Sequence, residues 1–93
     1  LLKEHPGYVP ALRNLGELLH ASGKTAEAIA NLERARSYDA RNSGVLHALG
    51  RALRDEGKLR EAQAALEQAV AEDPDFADAH NSLGLVLIER NDL

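Results

Sequence analysis

Gly23-Lys24-Thr25 has the composition of the end of a phosphate-binding loop, in which backbone amides cradle phosphate oxygens and the lysine reaches the terminal phosphate. The full motif needs a glycine five residues before Gly23, where Leu18 stands, and a strand ahead of it. The segment is therefore expected to be a helix-to-helix turn, and Gly57-Lys58 repeats it further along. His5, His20, His47 and His80 are the candidate metal ligands. No two have the His-x3–5-His spacing that brings imidazoles together on zinc, and His20 with His47 alone would make a poor site. The sequence holds no cysteine, which removes both a disulfide framework and a thiolate metal site. No metal and no cofactor are expected.

Carboxylates are common, but their spacing is that of exposed helix faces. Arg13/Glu17 and Arg51/Asp55 are placed for intrahelical ion pairs, each worth about 0.2–0.5 kcal/mol. Ser22, Ser37, Ser43 and Ser82 fall at turns, at helix starts or on a helix face, and spacing alone puts no base beside them. Nothing here assembles a nucleophile with its base, so the chain is not expected to be an enzyme on its own.

Elements that could position any site must come from 93 residues, one small domain at most. The composition leans on Ala and Leu with few aromatic and few β-branched residues, which favours helix over strand. The net charge of −4 and pI near 5.5 give no basic surface for nucleic acid. The longest apolar run, Leu83 to Ile88, is too short to span a bilayer.

Sliding the sequence by 34 residues superimposes Leu12 on Leu46, Leu15 on Leu49, Gly16 on Gly50, Leu19 on Leu53, Gly23 on Gly57, Ala28 on Ala62, Leu32 on Leu66 and Ala35 on Ala69. A second shift carries Leu49 onto Leu83, Gly50 onto Gly84, Leu53 onto Leu87 and Leu59 onto Leu93. Within each period two apolar stripes recur at three and four residues, the signature of two amphipathic helices. Helices are predicted over 9–21, 25–38, 43–55, 59–72 and 76–90, with residues 1–4 ending an earlier helix. Thr25 and Asp75 are the expected caps, and Pro74 stops the fourth helix. Gly16, Gly50 and Gly84 lie mid-helix, where glycine costs about 1 kcal/mol against alanine. Repeating that cost in register implies a close helix contact, with Ala28 and Ala62 as the matching small surface.

These residues resemble the tetratricopeptide repeat family, whose pattern is W-x2-L-G-x2-Y, then A-x3-F, then P, with a period of 34. Here it reads Leu12-x2-Leu15-Gly16-x2-Leu19 with Ala28-x3-Leu32 and Ala40. It then reads Leu46-x2-Leu49-Gly50-x2-Leu53 with Ala62-x3-Leu66 and Pro74, and finally His80-x2-Leu83-Gly84-x2-Leu87. Leucine replaces most aromatic slots, His80 takes one, and Ala40 replaces one proline. The resemblance implies an all-α, right-handed superhelix (solenoid) of antiparallel helix hairpins, about two and a half units long. Residues 1–8 would end a preceding repeat, 9–42 and 43–76 would be full repeats, and 77–93 the first helix of a truncated third. With no methionine at Leu1 and a new segment starting near Leu93, the chain reads as a piece of something longer.

In such proteins the first helices line a concave groove for peptides. Mapped here, the groove residues are Arg13, Glu17 and His20, then His47, Arg51 and Arg54, then Asp78, Asn81, Leu85 and Ile88. Several are basic, which implies a protein or peptide partner with an acidic segment. The Lys/Asn/Arg set with which some members clamp a chaperone's terminal carboxylate is missing, since Glu17, Ala48 and Ser82 stand at its polar positions. The asparagine ladder of members related to protein O-glycosyltransferases is also broken, because only Asn14 fits. The leading expectation is an interaction scaffold, and the alternative is a targeting or regulatory arm of a larger enzyme whose catalytic domain lies elsewhere. Self-association through the uncapped C-terminal helix is the further expectation, since Leu83, Val86 and Leu87 would lack a cover there.

Overall fold

The computed structural model describes residues 8–91. The expectations for residues 1–7 and for Leu93 lie outside the described residues. Five helices follow one another: α1 Tyr8–Ala21, α2 Thr25–Tyr38, α3 Ser43–Asp55, α4 Leu59–Glu72 and α5 Ala77–Asn91. Three of them match the predicted bounds, while α1 starts one residue earlier and α5 is displaced by one at each end. No strand occurs among the described residues.

The turns inside each hairpin close through the chain's own backbone. The amide of Gly23 donates to the His20 carbonyl at 3.0 Å, and that of Lys24 to the Leu19 carbonyl at 2.8 Å. Gly57 and Lys58 repeat the pair onto Arg54 and Leu53, both at 2.9 Å. This is the paired bonding of a Schellman motif, with Gly23 at φ +85° and Gly57 at φ +81°, where an L side chain is strained. The phosphate-loop look-alike is thus a helix stop. Two predicted caps are corrected. Lys24 occupies the N-cap position of α2 with no side-chain bond, which leaves Thr25 as the first helical residue. Asp75 lies outside α5, whose first turn closes with the His80 amide on the Phe76 carbonyl. Asn42 caps α3 with its side chain, whose Oδ1 accepts from the Val45 amide at 3.0 Å.

Each helix packs on the next in sequence, and α1, α3 and α5 also touch one another in a row, whereas α2 and α4 barely meet. The layer with the closer spacing is the inside of a curve, so α1, α3 and α5 form the concave wall. Extents of 46 × 29 × 17 Å describe a slab two helices thick, as helices packed 8–10 Å apart require, and not a closed bundle.

The core is a strip running through the slab. Leu32, Leu49, Ala52, Leu53, Ala62, Leu66 and Val86 form its middle. Val9, Leu12, Ala35 and Val45 flank it at one end, and Leu46, Ala69 and Ala79 at the other. The predicted inner faces of α2 (Ala28, Leu32, Ala35) and α4 (Ala62, Leu66, Ala69) are wholly buried. Gly16 and Gly50 do mark close contacts, and the side chain nearest each is a leucine of the second helix. A Cβ on Gly16 would stand 2.6 Å from Cγ of Leu32, and one on Gly50 2.5 Å from Cγ of Leu66. Each glycine is the notch that seats the second helix's leucine. A Cβ on Gly84 would meet nothing within 4 Å.

Candidate functional site

On the concave wall, the first helices display the predicted residues at three- and four-residue spacing. Neighbouring helices tie them together one period plus one residue apart. His20 Nε2 meets Asp55 Oδ2 at 2.5 Å, His47 Nε2 meets Ser82 Oγ at 3.3 Å, and Arg54 makes a bidentate pair with Glu89 at 3.0 and 2.9 Å. Each pair is separated by 35 residues. The reason is geometric. Successive first helices run in the same direction, so a residue faces both its own repeat equivalent and the next residue along. Asp55 and Glu89 belong to the wall and were missed from the sequence, whereas Ser82 was placed at one of the clamp's polar positions but without its partner His47. The period of 34 with an offset of one is the signal that could have found them.

The intrahelical pair Arg13–Glu17 forms as expected, with Nε to Oε2 at 3.2 Å. The same arginine lies over the start of α3, where a Cβ on Gly44 would stand 2.5 Å from its Nη1. The expected Arg51/Asp55 pair does not form. Asp55 turns to His20, and Arg51 has no carboxylate within ion-pair distance among the described residues. Arg51 instead lines an open cleft of about 440 Å³ between α1 and α3. Glu17, His20 and Ala21 line it from α1, Ala48 and Asp55 from α3, and Leu32 of α2 forms its floor.

On α5 the wall changes character. Leu85 and Ile88, at the repeat positions of Arg51 and Arg54, are 38% and 64% exposed. Asn81 and Asp78 are exposed one and two turns before Leu85. Leu87 is also 38% exposed, but Val86 is fully buried, which corrects the expectation that it lacks a cover. Of the three residues on which self-association was expected, Leu87 alone is exposed, since Leu83 is half-buried against the core. His80 does not fill an aromatic slot: it is exposed, and its ring nitrogen bonds the Pro74 carbonyl at 2.8 Å.

His47 sits at the centre of this wall. Its ring is tilted against Phe76 with centroids 4.9 Å apart, and Ser82 is nine-tenths buried beneath it. This is the one Ser–His contact among the described residues, and it satisfies a buried hydroxyl. The backbone amides around Ser82 belong to the α5 helix ladder, so they are not free to receive an oxyanion. Burial pushes the His47 pKa below its ordinary value of 6.5. Arg51 and, less strongly, Arg13 push it further down, against Asp78 and Glu17. A base whose folded-state pKa is lowered contributes stability above its unfolded value, and that contribution is lost as pH falls through the folded one. Below pH 6.5, urea midpoints should therefore fall more for the natural chain than for His47→Gln. Equal slopes between pH 7.5 and 5.5 would show that His47 is not held neutral by the fold.

Among the described residues no cluster of three or more His, Cys, Asp or Glu could hold a metal ion, and no helix is long and apolar enough to cross a membrane. Compared with characterised proteins, the sequence finds no match. A family model described as tetratricopeptide repeat matches residues 19–84 and again 53–93. Those two overlapping registers take in both glycine turns, all four helices from α2 to α5 and the last residues of α1, and on that match the chain belongs to the tetratricopeptide repeat family.

Proposed function

We propose that this chain is a protein–protein interaction scaffold that holds a peptide or a segment of a partner protein in the concave groove lined by α1, α3 and α5, and that it performs no chemistry of its own. Tetratricopeptide repeats generally mediate protein–protein interaction, which supports the general reading. The observation that carries the finer one is the open cleft between α1 and α3, whose 440 Å³ falls in the range of clefts that seat ligands. Its charged lining supports it further. Glu17, His20 and Asp55 are each held by a partner within the chain, so the wall is ordered before anything binds.

The test is a peptide array probed with the natural chain, with Arg51→Glu in the cleft, and with Gln68→Glu on the exposed outer surface of α4. Arg51 is the better choice than Arg54, because reversing Arg54 also breaks its pair with Glu89. Peptides captured by the natural chain should be released by Arg51→Glu and retained by Gln68→Glu. Loss with Gln68→Glu alone would move the site to the outer face.

A further inference from the structure

We infer that the groove selects an extended segment with an acidic side chain followed, three residues later, by an aliphatic one: acidic-x-x-aliphatic. This inference rests on the groove reading and names the chemistry of its guest.

The argument starts from which charges remain available. The chain places three arginines on the concave wall, but Arg13 is engaged by Glu17 and Arg54 by both oxygens of Glu89. The two acids that share the cleft with Arg51 are also engaged, Glu17 by Arg13 and Asp55 by His20. Arg51 is exposed and faces the cleft with its charge uncompensated by any close carboxylate among the described residues. A guest carboxylate there gains a charge-assisted bond without displacing an internal one.

One helix further along the same wall, the chemistry is apolar. Leu85 stands at the repeat position of Arg51, and Ile88 one turn beyond it, both exposed. Adjacent first helices in contact lie about 8–10 Å apart. A polyproline-like chain rises about 3.1 Å per residue with three residues per turn, so residues i and i+3 point the same way roughly 9 Å apart. One such step carries a side chain from Arg51 to the Leu85/Ile88 pair. One turn before Leu85 on the same helix, the exposed Asn81 amide can both donate to and accept from the guest's backbone, which an extended segment leaves unpaired.

The experiment uses four capped peptide pools in a random Ser/Thr/Ala/Pro background, titrated into the whole chain and followed by amide and imidazole NMR shifts. The fixed residues are Glu-x-x-Leu, Gln-x-x-Leu, Glu-x-x-Ser and adjacent Glu-Leu. Glu-x-x-Leu should bind about three- to five-fold tighter than Gln-x-x-Leu, the range of an exposed ion pair, and Arg51→Gln should erase that difference. It should bind about ten-fold tighter than Glu-x-x-Ser, and Ile88→Ser should reduce that margin. Capped ends exclude recognition of a terminal carboxylate. His47 supplies a local readout: a carboxylate on Arg51 offsets the positive charge beside the ring, so the His47 titration moves up on binding. Equal affinity of the Glu and Gln pools, with shifts still on α1, α3 and α5, overturns the acidic-aliphatic assignment and leaves the groove reading standing. Shifts confined to α2 and α4 overturn both. No binding by any pool at millimolar concentration overturns the assignment, and the array then decides the groove reading alone.

Discussion

Replacing Gly50 with alanine should destabilise the chain by about 2 kcal/mol, a drop of roughly 10 °C in the thermal midpoint, while Gly84→Ala leaves it level or raises it. The two glycines occupy the same register position in successive first helices and share the same intrinsic propensity gain, about 1 kcal/mol in favour of alanine. They differ only in what the new methyl meets. At Gly50 it would stand 2.5 Å from Cγ and 2.8 Å from Cδ2 of Leu66, a fully buried side chain with no room to retreat. At Gly84 nothing lies within 4 Å. Overpacking therefore outweighs propensity at the first site and is absent at the second. Differential scanning calorimetry of both variants decides it, and equal midpoints would remove the notch from the account. A double variant adds a second check. Leu66→Ala alone should cost about 2–5 kcal/mol, and combined with Gly50→Ala the two costs should fall short of their sum, because the clash disappears with the leucine.

The glycine register also marks how far the fold was legible. Leu, Ala and Gly at fixed spacing set the helix bounds to within a residue, because apolar periodicity is a property of one helix at a time. Which side chain faces each glycine was not legible. Alanine looks like the natural match for a tight contact, yet the atoms nearest a methyl at Gly16 and Gly50 are those of Leu32 and Leu66. Caps failed for a related reason. Thr25 and Asp75 are good capping residues by type, but the Schellman turn at Gly23 sets where α2 begins, and the turn around Phe76 sets where α5 begins. Backbone bonding overrode side-chain preference at both places.

The wall residues were legible as a face and illegible as a network. Arg13, Glu17, His20, His47, Arg51, Arg54, Asp78, Asn81 and Leu85 recur at three- and four-residue spacing along α1, α3 and α5, which is one face of each helix. The pairing is set by competition across helices. Asp55 could reach Arg51 four residues back or His20 on α1, and it takes His20 at 2.5 Å. That choice leaves Arg51 uncompensated, which is why the basic appearance of the groove narrows to one available guanidinium. The three links separated by 35 residues run along the wall as rungs between successive first helices. They order the face that the proposed groove presents, so the proposed recognition surface and inter-repeat packing share the same side chains.

The second large expectation concerns Leu15 and Leu49, which are also register equivalents. Leu49→Ala should cost about 3 kcal/mol, and Leu15→Ala less than about 1 kcal/mol. Leu49 is fully buried in the middle of the core, packed among Leu32, Leu53 and Leu66, so truncation leaves a cavity the neighbours cannot fill. Leu15 is 43% exposed, and Leu18, the equivalent of the fully buried Ala52, is 63% exposed. The α1 face with Ala11, Leu15 and Leu18 has no helix against it among the described residues, whereas the same α3 face, with Val45, Leu49 and Ala52, is wholly buried. Identical sequence positions thus have different energetic weight, and the weight follows from neighbours and not from residue type. Urea midpoints for the two single variants test this, and a Leu15→Ala loss as large as that of Leu49→Ala would mean that α1 is covered in solution. In that case the stack would extend past α1, and the concave wall would be longer than the three helices from which the guest's spacing is derived.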